Sequence, residues 1–420
     1  MSAAPCGVCH RTDPGWLVAD DGVEARPFTI ERSHGVFRGD TTAASSPDPR
    51  RMTTRRRFAA SLPALAAAPL ALGACSTEPA ADSYAATAAR TWQATTPTGL
   101  VGESLGRELV RCATLAPSSH NTQCWKFALD PAGRAITVLP DLARRCPAVD
   151  PDDHHLFVSL GCATENLIQA AHAHGLHGEA RFDPAADAIR VSLEPTPART
   201  STLYTAIPDR QCTRGDYDGK PLSAQVLRML QHAGSSDTVR LLLLTDRPAI
   251  ERTLDYVIQG NTAQIADPAF VAELKAWIRF NGAEAVRTRD GLYSATVGNP
   301  NIPSWIGRRA LRWLLTPKGE NDKYARQIRS SAGIAVFVGR TADKANWVEV
   351  GRCYERFALQ ATALVIRNAF LNQPVEVASL RPPFAEALGM AGERPDLVVR
   401  FGRGAEMPRS LRREVGEVVV

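Results

Sequence analysis

Apolar residues recur at spacings of three and four in two early stretches. Leu105, Leu109, Cys112 and Ala116 form the first set, and Leu156, Leu160, Ala163, Leu167 and Ala170 the second. That period aligns side chains along one face of a helix, so two helices, each buried on one side, are expected here. The runs 136–139 and 189–193 are short, branched and bounded by turn residues, as strands are. Further strands are expected at 239–244, 334–338 and 397–401. The strongest helical signal is carried by Trp347, Val350, Tyr354, Phe357, Ala361, Leu364 and Asn368, over about six turns. The expected fold class is therefore α+β. Pro195 and Pro197 mark a boundary between a first half, 96–198, and a second half, 207–420. Residues 260–330 have weak strand signal and hold Trp277, Phe280, Trp305 and Trp313; they read as a helical, lid-like insertion in the second half.

Composition narrows the choices. The 420 residues carry a formal net charge of only +5, with no basic stripe interleaved with aromatics, so nucleic acid is not expected as a partner. Nothing in the body reaches the roughly 18 to 20 uninterrupted apolar residues that a membrane helix needs. Upstream, Arg55-Arg56-Arg57-Phe58 followed by a mild apolar run to Ala74 has the form of a twin-arginine export signal over 52–75, a route that carries folded, cofactor-loaded proteins. The run closes on Leu72-Gly73-Ala74-Cys75, which resembles a lipoprotein processing box with Cys75 as the lipidated residue. Simple cleavage without lipid is the alternative, and a periplasmic or membrane-anchored location is expected either way. Residues 76–95, rich in Ala, Thr and Ser, read as a linker. Residues 1–51 precede the export signal and read as an upstream extension or a mis-called start. The Cys6-Gly7-Val8-Cys9-His10 haem-attachment pattern inside them is set aside, since haem is attached after export.

Other chemistry is weakly signalled. His154, His155, His172, His174 and His177 crowd one stretch, but their spacing does not face them together on a helix, so solvated helix ends are expected and no metal. Cys112, Cys162 and Cys353 fall on apolar helix faces; with Cys124, Cys146 and Cys212 they leave the disulfide state open. No nucleophile elbow is present, and hydrolase chemistry is unsupported.

The segment Ala116-Pro117-Ser118-Ser119-His120-Asn121-Thr122-Gln123-Cys124-Trp125-Lys126-Phe127 resembles the signature A-P-S-x-x-N-x-Q-P-W-x-F of the nitroreductase family, departing from it at Cys124. Small hydroxyl and amide groups in a tight loop suit the polar edge and ribityl chain of a flavin. Ile207-Pro208-Asp209-Arg210-Gln211-Cys212-Thr213-Arg214 is similar to the family's R-R-S-x-R phosphate-gripping opening, with Arg210 and Arg214 in place, Gln211 for an arginine and Cys212 for the serine. A guanidinium fork meets phosphate bidentately, although these arginines taken alone could equally be solvated surface residues. Gly351-x-x-Tyr354-Glu355-Arg356, running on to Asn372-Gln373-Pro374-Val375-Glu376, resembles the helix and following strand of the fused, Acg-type branch. The C-terminal Arg409, Arg412 and Arg413 are candidates for the basic residue that completes the phosphate site.

The resemblance implies a nitroreductase-like fold in two related halves, a monomeric pseudo-dimer holding one FMN. Ser118, Ser119, Asn121 and Gln123 would come from the first half; Arg210, Cys212, Arg214 and one of Arg409, Arg412 or Arg413 from the second. It implies an oxidoreductase in which NAD(P)H, or a membrane electron donor, reduces the flavin and a nitroaromatic or quinone reoxidises it, with no dedicated catalytic acid or base. The alternatives are a flavin-storing protein with little turnover, its lid over the cofactor, or an anchored electron carrier.

Overall fold

The computed structural model describes residues 83–94, 97 and 99–420. The export signal, Cys75 and the haem-attachment pattern lie outside the described residues. The tether expected over 76–95 is, from Ser83 on, part of the fold. Ser83 Oγ caps the alanine-rich helix α1 (Tyr84–Thr91) by accepting from Ala86 N at 3.2 Å, and the next residue, Trp92, is buried.

In chain order there follow α2 (Gly102–Thr114), β1 (Trp125–Leu129), β2 (Ala135–Pro140), α3 (His154–Ala173), β3 (Leu176–Asp183) and β4 (Ala188–Pro195). The chain crosses through α4 (Thr202–Ala206) into α5 (Ala224–Ala233) and β5 (Val239–Leu244). Next come α6 (Arg247–Ala266), α7 (Pro268–Trp277), β6 (Ile278–Arg279), α8 (Gly282–Thr288), β7 (Leu292–Tyr293), α9 (Ser304–Leu314) and α10 (Pro317–Arg329). The last part is β8 (Gly333–Gly339), α11 (Lys344–Ala363), β9 (Arg367–Phe370), α12 (Gln373–Glu376), α13 (Arg381–Ala387), β10 (Pro395–Gly402) and α14 (Val415–Val418).

Two four-stranded antiparallel sheets result, ordered β1-β2-β4-β3 and β5-β8-β10-β9. Each half runs strand, strand, long helix, strand, strand, and each sheet places its last strand between its second and third. The same topology twice is the two-halves architecture that the resemblance implies. The halves differ between their first two strands: a short turn at Asp130–Arg134 in one, closed by Gly133 N donating to Asp130 O, and the whole of 245–332 in the other.

The long helices α3 and α11 cross at Gly161 and Gly351. A Cβ on Gly161 would lie 2.0 Å from Val348 O, and one on Gly351 2.0 Å from Val158 O, so only glycine admits this approach. The crossing buries α3 more completely than its periodicity suggested: every residue of it except Gln169 and His172 is buried. One apolar core runs through both halves around this crossing. A second fills the other face of the second sheet, where Ile250, Leu254 and Val257 of α6 and Ile328 of α10 meet Ile334, Val336, Val338 and Val398. Helices α6 and α10 are thus a core layer, and the insertion starts at 247 rather than 260.

Three further expectations are corrected. The helix read through Asn368 stops at Ala363, because Val365 takes φ +57 and turns the chain into β9; Asn368 belongs to that strand. Of residues 372–376, read as strand, Gln373–Glu376 form α12, whose first turn accepts Pro374, and Asn372 is its N-cap. His154 and His155 open α3 fully buried, while His172 and His177 stack at 5.5 Å near its other end. The six body cysteines are all free thiols. No described helix is long and apolar enough to cross a membrane.

Candidate functional site

The loop after α2 is the most contorted stretch of the first half. His120, Asn121 and Gln123 hold φ of +48, +53 and +54, a region costly for residues with a Cβ and kept only where surroundings enforce it. Ser118 Oγ accepts from Gln123 N at 2.9 Å, and Asn121 N and Thr122 N donate to Ser118 O and Ser119 O, so the loop is closed by its own backbone. The Asn121 amide donates to Gly291 O and Leu411 O and accepts from Arg412 Nη1 at 2.9 Å. Gln123 donates to Arg289 O and accepts from Arg413 N at 2.7 Å. These two amides stitch the loop to the insertion and to the C-terminal segment.

The arginines separate by role. Arg412 is buried with Nε and Nη2 donating to Thr114 O, Leu115 O and Ala116 O, the free carbonyls at the end of α2, and it makes no ion pair among the described residues. Burial, with Arg210 nearby, draws its pKa down to about 9. Arg210, also buried rather than solvated, donates to Leu115 O at 2.9 Å and sits 3.3 Å from Glu355. Burial pushes the Glu355 carboxyl up to about 7 against the pull of Arg210. Arg409 donates to Pro208 O and pairs with Asp209 at 3.5 Å. Arg413 turns away, towards Asp141, Glu417 and Gln123 O. Arg214 makes no hydrogen bond or ion pair through its side chain among the described residues.

Two adjoining spaces lie between these groups. The larger, about 480 Å³, is walled by Ser118, Ser119 and His120 of the loop and by His155, Ser159 and Cys162 of α3. Phe270, Leu274 and Phe280 of the insertion roof it, and Arg214, Phe370 and Arg400 close the second-half side. That size is within the roughly 300–1,000 Å³ of small-molecule sites. The smaller, about 50 Å³, shares Pro117, Ser118, Arg214, Leu292 and Phe370 with it and is lined also by Asn121, Arg210, Cys212, Arg409 and Arg412. Four guanidiniums and no carboxylate face this space. Of the ten residues expected at the site, Gln123 and Arg413 line neither space, because their polar groups are consumed by each other and by the backbone. Cys212 is held at its place by a bridge to Asn368 on the edge strand β9.

Sequence reasoning missed Trp92. Its indole lies 4.8 Å from Arg412, 5.3 Å from Arg409 and 5.8 Å from Arg210, and Nε1 donates to Ser410 O at 2.8 Å. A lone tryptophan beyond an Ala/Thr stretch gives no periodic signal. Also missed was a polar patch on the larger cavity's wall. There His155 Nδ1 stands 4.0 Å from Glu376, which accepts from Gln264 at 2.6 Å. Burial raises the Glu376 pKa, with His155 opposing.

No family model matches the chain. It is similar to "Putative NAD(P)H nitroreductase Rv3131" of Mycobacterium tuberculosis H37Rv, 24% identical over 328 residues, 74% of this chain and 90% of that protein. The counterpart in strain CDC 1551 / Oshkosh, "Putative NAD(P)H nitroreductase MT3217", matches with the same figures. Among solved structures, it is similar to the FMN-dependent nitroreductase NfnB of Mycobacterium smegmatis in complex with NADPH (10% identity, 51% of this chain and 96% of that one, TM-score 0.35). Another is a nitroreductase with bound FMN from Desulfitobacterium hafniense (13%, 50% and 94%, TM-score 0.33). Over most of its length the chain is thus similar to curated proteins that are named as nitroreductases.

Proposed function

We propose that the chain is an FMN-dependent oxidoreductase of the nitroreductase type that reduces nitroaromatics or quinones. The observation that carries this is Arg214. An arginine with no ion pair among the described residues stands where the Ser118 loop of one half meets Arg210, Arg409 and Arg412 of the other, where a ligand-sized cavity adjoins a small cationic one. Four guanidiniums around so small a space, with no carboxylate among the residues that line it, fit a phosphate, and the adjoining mixed polar and aromatic cavity fits a flat ring system. The relatives' names support the same reading.

FMN, when bound, supplies the hydride and electron chemistry. Arg214, with Arg210 and Arg409, would hold its phosphate, and Ser118 and Ser119 would meet its polar chain. The Phe270 and Phe280 side of the insertion would exclude water from the cavity. His155 and Glu376, hydrogen-bonded to the framework, are placed to hold a proton at the cavity wall. Export by a twin-arginine route, with Cys75 as a lipid anchor, belongs to the same proposal and rests on the 52–75 sequence alone.

The roof over the cavity favours a second reading, a flavin-storing protein with little NAD(P)H turnover, or a carrier served by a membrane donor. The full chain is purified, its visible spectrum recorded, and excess NADPH added without oxygen. A flavin spectrum that bleaches promptly is the expected result. A flavin that stays oxidised until dithionite is added shifts the function to storage or carriage, and a colourless protein that takes up no added FMN overturns the proposal.

A further inference from the structure

Away from the cationic pocket, three segments remote in sequence bring ligand-type atoms together. A ring nitrogen of His120, the thiol of Cys146 and a carboxylate oxygen of Glu273 all lie within 4.8 Å of one another. His120 belongs to the contorted loop, Cys146 follows β2, and Glu273 is on α7 of the insertion. His120 Nε2 is buried without a hydrogen-bond partner. Cys146 is 4% exposed and is a free thiol. The Glu273 carboxylate is held in place by the turn after Cys146, accepting from Ala148 N at 2.9 Å and Val149 N at 3.1 Å, and it keeps lone pairs for a further partner. Burial raises Cys146 and Glu273 and, together with Arg214, lowers His120 to about 4, so each group is held towards its neutral form while unmatched.

We propose that His120, Cys146 and Glu273 bind one divalent transition-metal ion of the zinc class, clamping α7 of the cavity roof to the loop that carries Ser118 and Ser119. Imidazole, thiolate and carboxylate are the donor types this ion takes, and three protein ligands leave a fourth tetrahedral position for water. On binding, the Cys146 S–H bond breaks, the sulfur bonds to the metal and the proton goes to solvent; nothing is oxidised or reduced. Metal–ligand bonds of about 2.0 to 2.3 Å require the three atoms to draw in by about an ångström, within reach of side-chain rotation. The small apolar cluster of Cys146, Val149 and Phe270, with Leu274 and Trp277 against it, already seats α7 on this turn. Spacing along the chain could not show the set, because its members lie 26 and 127 residues apart.

The test uses the full chain with Cys6→Ser, Cys9→Ser and Cys75→Ser, so that N-terminal thiols contribute nothing, reduced, stripped of metal and titrated with Co2+ under anaerobic conditions. One saturable equivalent is expected, with tetrahedral d–d bands and a thiolate-to-metal charge-transfer band, displaced by Zn2+. Cys146→Ser loses the charge-transfer band and binds at least about 100-fold more weakly, while Glu273→Gln weakens binding about 10- to 100-fold and keeps the band. Cys353→Ser, a thiol elsewhere in the core, leaves the titration unchanged. Absence of a saturable equivalent, or a Cys146→Ser protein that binds as tightly as its parent, overturns the proposal. If Cys146→Ser fails to fold by circular dichroism, Glu273→Gln decides, and an unchanged titration there overturns it equally.

Discussion

Gly161 in the first half and Gly351 in the second meet at the helix crossing, and each is followed four residues later by a buried glutamate, Glu165 and Glu355. The two positions are equivalent by topology and opposite in electrostatics. Glu165 faces Arg352 at 3.2 Å and Arg356 at 3.0 Å; burial pushes its pKa up, and the two cations more than reverse that, leaving it lowered. Glu355 has Arg210 within ion-pair distance and a weaker pull from Arg412, and burial prevails. One carboxylate thus serves as a strut between helices, whereas the ion-pair partner of the other, Arg210, lines the small cationic pocket. The sheets diverge in the same sense. The first leaves alternate residues of β3 open to solvent, whereas β8 and β10 of the second are buried on both faces beneath α6 and α10.

The sharpest way to break this comparison is at the crossing itself. Gly161→Ala and Gly351→Ala should each cost more than about 4 kcal/mol and by similar amounts, since either Cβ meets a backbone oxygen of the opposite helix. Urea unfolding of both variants checks this, and a large effect from one alone would mean that the crossing is not two-fold related.

Next in size is the glutamate pair. Glu165→Gln takes the buried carboxylate from Arg352 and Arg356, which then share Glu349 alone, and should destabilise the protein at neutral pH by about 3 kcal/mol. Its contribution is present above the ordinary glutamate value of 4.5 and is lost as pH falls through the depressed folded value. Glu355 has the reverse sign. The fold holds a proton that the unfolded chain releases above 4.5, so its favourable contribution is complete below that value and is lost as pH rises to about 7. Between those limits the stability of wild type relative to Glu355→Gln should therefore decline with pH, while relative to Glu165→Gln it should not. Unfolding midpoints measured across that window test both signs, and matching slopes would erase the distinction.

The smallest effect sharpens the functional side. Arg214→Ala should weaken FMN retention about ten- to hundredfold, the value of charge-assisted hydrogen bonds, with little change in the unfolding midpoint. Arg190→Ala, on the exposed face of the first sheet, should leave retention unchanged. Equal losses would show that general positive charge, and not this pocket, holds the cofactor. Flavin fluorescence during dialysis provides the readout.

Much of this was legible in the residues. The strands at 136–139, 189–193, 239–244, 334–338 and 397–401 all fall within observed strands, because branched residues between turn formers leave few other choices. The Ser118 loop was legible as a motif and its strain was not, since nothing in Asn121 or Gln123 announces positive φ. Their amides read as ligand donors, yet the fold uses them to bind Arg412, Arg413 and the insertion. Helix ends were misread where a single residue changes hand, as at Val365.

Local order, the alternation of strands, the helical stripes and the two sets of polar motifs, was determined by the sequence itself, because each depends on neighbours within a few residues. Only the tertiary structure decided which arginines have no ion pair among the described residues, which glutamate is pushed towards its protonated form, and that His120, Cys146 and Glu273 converge. Those outcomes depend on burial and on partners hundreds of residues away, and a charge has no fixed meaning until the fold supplies its surroundings.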